Sequence, residues 1–77
     1  MNDKMGVLPV FIFFPAMNER MWRVVVPGGE RTEFAREGQA VAFAFSSATA
    51  LKNRGRAVKV FRESQAGHWI HIPLPVS

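Results

Sequence analysis

The sequence predicts a single α+β domain, an antiparallel sheet with one helix on one face, in the order strand, strand, helix, strand, strand. Three observations carry this expectation. The chain has 77 residues, too few for a second hydrophobic core. Its composition, 48% hydrophobic and 21% charged, is that of a globular chain rather than a disordered or membrane-spanning one. Short β-branched and aromatic runs flank an alanine-spaced stretch of helical length.

The first apolar stretch, Val7 to Ala16 (VLPVFIFFPA), is half the length a bilayer span needs, about 20 residues. As a secretory signal it has a weak basic region, two prolines (Pro9, Pro15) and no good small-x-small cleavage site. Residues 1–20 are therefore read as an N-terminal arm or an extra strand, Val10 to Phe14, ahead of a domain at 21–77. Met17 and Met21 could serve as later starts. A cytoplasmic location is expected.

Trp22 to Val26 is rich in β-branched and aromatic residues and is closed by the turn signal Pro27-Gly28-Gly29, so it reads as the first strand of a hairpin. Glu30 to Ala35 returns as a short polar strand suited to a sheet edge. Glu37-Gly38 ends it. Gln39 to Asn53 supports two periods, because Val41, Phe43 and Phe45 alternate while Val41, Ala44, Phe45, Ala48 and Leu51 follow helical spacing. The alanines at 40, 42, 44, 48 and 50 decide for a helix, capped at its end by Gly55. On that helix Phe43 lies off the stripe, which makes it a partly exposed contact candidate. Arg56 to Arg62 then reads as a third strand, Glu63 to Gly67 as a turn, and His68 to Ile72 as a fourth strand stopped by Pro73 and Pro75.

Trp22 and Val24 running into Pro27, Gly28 and Gly29, Glu37-Gly38 before Ala40, Ala44 and Ala48, and Val58 and Val60 leading through Gly67 to Ile70 together resemble a small bacterial domain family of unknown function. The resemblance spans residues 21–72. It implies a fold and brings no agreed chemistry.

The chain has no cysteine, which excludes a disulfide framework, a thiolate zinc site and a cysteine nucleophile. His68 and His71 fall on opposite faces of a strand and cannot share a metal. Ser46 and Ser47 sit in no nucleophile elbow, and the sole aspartate, Asp3, is in the N-terminal arm. Glu30, Glu33 and Glu37 read as a solvated edge rather than an acid–base pair. Neither an enzyme nor a cofactor is expected.

Charge is unevenly distributed. Residues 1–50 hold five bases and five acids, so the net +4 comes entirely from Lys52, Arg54, Arg56, Lys59 and Arg62 against Glu63. Such a field favours anionic partners. If one helix covers one sheet face, the other should present Arg23, Val25, Lys59, Phe61, Trp69 and His71, with Arg54 and Arg56 nearby. The first expectation is a protein partner or a homodimer on that aromatic and basic face, unless the strand at Phe11 to Phe14 covers it. Single-stranded nucleic acid is the alternative, because rings and cations together serve base stacking and phosphate neutralisation. No membrane association is expected.

Overall fold

The strand that organises the sheet is the first one. In the computed structural model, which describes residues 6–29 and 31–75, β1 (Val7–Phe13) precedes β2 (Trp22–Val25), β3 (Thr32–Phe34), α1 (Glu37–Asn53), β4 (Ala57–Glu63) and β5 (Trp69–Ile72). The sheet order is β3-β2-β1-β4-β5. The segment read as an arm or an extra strand thus lies at the centre of the sheet, not upstream of it.

This placement also corrects the expected pairing. β2 is antiparallel to β1 and β3, and β5 to β4, but β1 and β4 run parallel from Val7 beside Ala57 to Ile12 beside Arg62. The sheet is mixed. Parallel neighbours need a long crossover, and the β2–β3 hairpin together with α1 supplies it. The class is α+β, with the helix packed on one sheet face.

Pro9 would be out of place in a strand paired on both sides, since it has no N–H to donate. Here β1 pairs with β2 only from Phe11 to Phe13, so Pro9 has a ladder partner on one side alone.

Alternation along each strand selects the covered face. Val10 and Ile12 of β1, Val24 of β2 and Val60 of β4 are fully buried beneath Ala40, Ala44 and Ala48 of α1. The alanines recur every fourth residue and so form one stripe. Their small side chains let the helix lie close to the sheet, while Val41, Phe43 and Phe45 pack at its flanks. Phe43, expected off the stripe, has its ring 5.2 Å from Phe34 of β3 and belongs to this packed layer rather than to a contact surface.

The turns follow their residues. Gly28 has φ +73° and the Gly29 N–H donates to the Val26 carbonyl, closing the turn after β2. The α1 terminus is a Schellman motif: the N–H of Gly55 (φ +86°) donates to Lys52 and that of Arg56 to Leu51. The helix starts two residues before the expected Gln39, taking in Glu37 and Gly38. β3 is an edge strand, shorter than expected. Glu30, Asp3 and Lys4 lie outside the described residues.

Arg62 crosses the covered face, with its guanidinium carbon 5.5 Å from the Trp22 ring centre. Its Nε forms an ion pair with Glu37 but lacks the alignment of a hydrogen bond. Both side chains are partly exposed, so the pair contributes less than about 1 kcal/mol.

Two consequences can be measured. Ile12→Ala should cost about 2–5 kcal/mol in urea unfolding, a large share of the roughly 4–12 kcal/mol expected for a chain of this length. A chain starting at Met17 lacks β1 and should lose its amide-proton dispersion; a well-dispersed spectrum from it would contradict the central position of β1.

Candidate functional site

On the face away from α1, the same alternation gathers a different set of side chains. The registers put Val25, Phe11, Phe61 and His71 in one row across β2, β1, β4 and β5. Phe13 and Arg23 form a neighbouring pair in the next row, where Glu33 follows on β3. Trp69 pairs with Glu63, and Lys59 lies beside Pro9. Nothing among the described residues covers these side chains.

The rings contact one another. Phe11 stacks on Phe61 with centroids 5.8 Å apart and planes 27° from parallel. Trp69 meets Phe11 at 5.1 Å and Phe13 at 5.2 Å, edge to face in both cases. His71 lies 5.7 Å from Phe61. Trp69 is 44% exposed, and Phe11, Phe13 and Phe61 are half-buried. Such pairings add about 0.5–1.5 kcal/mol each beyond area burial, so the cluster holds its shape without a cover.

Cations flank the rings at both ends. The Arg23 guanidinium lies 5.5 Å from the Phe13 ring centre, in cation–π range, and its Nε is shielded from solvent without a hydrogen-bond partner. Lys59 is exposed and level with Pro9, four residues along β1 from the level of Arg23, or about 13 Å. On the α1 side of the sheet, Lys52, Arg56, Lys59 and His71 help to line a cleft of about 420 Å³ with Val58, Ile72 and Leu74. At the opposite end Glu63 accepts a hydrogen bond from the Phe14 N–H at 3.2 Å.

Of the residues named from the sequence, Arg23, Lys59, Phe61, Trp69 and His71 share this face. Arg56 precedes β4 and lines the α1-side cleft, whereas Arg54 is the residue at the end of α1 and does not line it, so neither is brought to the aromatic face. The expected cover is absent for a structural reason: Phe11 and Phe13 are part of the face, while Phe14 turns to Trp22, its ring centroid 5.0 Å away. Sequence reasoning missed Phe11 and Phe13 as surface residues. The available signal was a run apolar at both odd and even positions, the mark of a strand with two apolar faces.

Among the described residues no three His, Asp or Glu side chains gather as a metal site, and no helix is long and apolar enough to cross a membrane. No protein-family model, curated protein or solved structure matches the chain, so the geometry of this face carries the functional argument.

Proposed function

We propose that this protein is a small binding module without catalytic activity, and that its open sheet face docks on the surface of a partner protein. The observation that supports this reading most is the self-packed cluster of Phe11, Phe13, Phe61 and Trp69, half-exposed on a face that no element among the described residues covers. Exposed apolar groups gathered in this way mark interaction sites, and buried aromatic anchors dominate protein interfaces. The edge-to-face packing of Trp69 on Phe11 and Phe13 favours a protein over stacked bases, since it offers no row of parallel ring faces. Glu33 and Glu63 on the same face also oppose a phosphate backbone. A cytoplasmic location fits a chain without cysteine.

One arrangement favours single-stranded nucleic acid as a second reading. Arg23 over Phe13, with Lys59 at the far end, spaces cations about rings as a nucleotide strand requires.

Phe61→Ala or Trp69→Ala should weaken capture of a partner protein by about tenfold or more while the amide spectrum keeps its folded pattern; unchanged partner capture by both variants would count against the protein reading. For nucleic acid, a fluorescent oligonucleotide should bind at low salt, lose affinity steeply as salt rises, and bind less when Arg54, Arg56 and Lys59 are replaced together by Ala. Salt-independent binding, or none at low salt, would remove that second reading.

A further inference from the structure

The two edges of the sheet differ in chemistry. The β3 edge is three residues long, carries the exposed Glu33, and is flanked by the exposed Arg31 and Arg36, a pattern that discourages strand addition. The β5 edge reads Trp-Ile-His-Ile, and from Ser64 to Pro75 there is no Asp, Glu, Lys or Arg.

Among the described residues, β5 is also uncovered on both faces at Trp69 and Ile70. Trp69 (44% exposed) points to the aromatic face and Ile70 (45% exposed) to the helix face, where α1 packs chiefly over β1 to β4. A partner lying on the aromatic face covers Trp69 and leaves Ile70 in water. A strand beside β5 buries both.

The backbone points the same way. The Ser64 N–H donates to the His68 carbonyl at 2.8 Å, so that pair faces inward. Antiparallel alternation then turns Ile70 and Ile72 toward Arg62 and Val60 of β4, leaving the N–H and C=O groups of Trp69 and His71 along the free edge.

We infer that a second copy of this chain adds its β5 antiparallel to this edge, joining two five-stranded sheets across a two-fold axis. An antiparallel strand paired with itself presents the same donors and acceptors from both sides, which makes the contact isologous and self-limiting. Charge selects the edge over the face for this partner. Each copy carries net +4, and stacking two aromatic faces would set the two sheets that carry this charge only about 10 Å apart. Edge pairing sets the two β4 strands three strand spacings apart, about 14 Å, which exceeds the roughly 8 Å screening length at physiological salt. Four residues per edge make a small interface, so the dimer is weak and concentration-dependent. In it the two Trp69 clusters lie on the same side of one continuous sheet.

This goes beyond docking through the aromatic face, and the two ideas fail separately. Sedimentation equilibrium of the full chain over a wide concentration range should show a monomer–dimer equilibrium. Ile70→Lys, which leaves the aromatic face intact, should weaken the dimer at least about tenfold, whereas Phe61→Ala should leave it in place. A wild-type monomer at every concentration, or an Ile70→Lys protein that dimerises like wild type, would overturn the inference; dimer loss in Phe61→Ala alone would assign the contact to the face instead. Hydrogen exchange on the wild-type protein reads the same contact without a variant: Trp69 and His71 amides should gain protection with concentration, and equal exchange at all concentrations would rule the pairing out.

Discussion

Val10 and Ile12 leave water only because β1 lies between β2 and β4 with α1 above it, and the rest of the molecule is arranged around that placement. A strand in this position has two apolar faces to dispose of. One face enters the core with Val24 and Val60. The other carries Phe11 and Phe13 to the middle of a surface where Phe61, Trp69 and His71 meet them from β4 and β5. Core and candidate surface are therefore the two sides of one seven-residue strand.

The helix can serve only one of those sides. Its alanine stripe keeps the covered layer thin, and Phe34, Phe43 and Phe45 are sufficient to fill the flanks. With seven phenylalanines and two tryptophans in 77 residues, the chain holds more aromatic surface than this layer can bury. The excess is concentrated on that open face rather than scattered, and the proposed docking role rests on that concentration.

Much of this architecture was legible in the sequence because local signals and tertiary demands agree. Pro27-Gly28-Gly29, the alanine spacing, Gly55 and the alternation of Val58 and Val60 each specify a local geometry that the sheet and helix then use. The same alternation grouped Arg23, Lys59, Phe61, Trp69 and His71 on one face. What the sequence concealed was long-range. Nothing local states that β1 pairs with β4, some 50 residues away, or that the pairing is parallel. Met17 and Met21 as later starts left room for an arm, and the pairing of β1 with both β2 and β4 removes that reading. Phe43 misled for a related reason: its partner is Phe34, on a strand whose position relative to the helix no local period reveals.

The most direct test of this account is native-state amide hydrogen exchange on the dilute, uniformly labelled protein. A strand held between two neighbours exchanges only through global opening. The Val10 and Ile12 amides should therefore be among the slowest in the chain, with free energies matching that of Val60 and that of denaturant unfolding. Fast exchange through β1, with β2 and β4 still protected, would show a loosely attached segment, and both the core and the aromatic face described here would lose their centre.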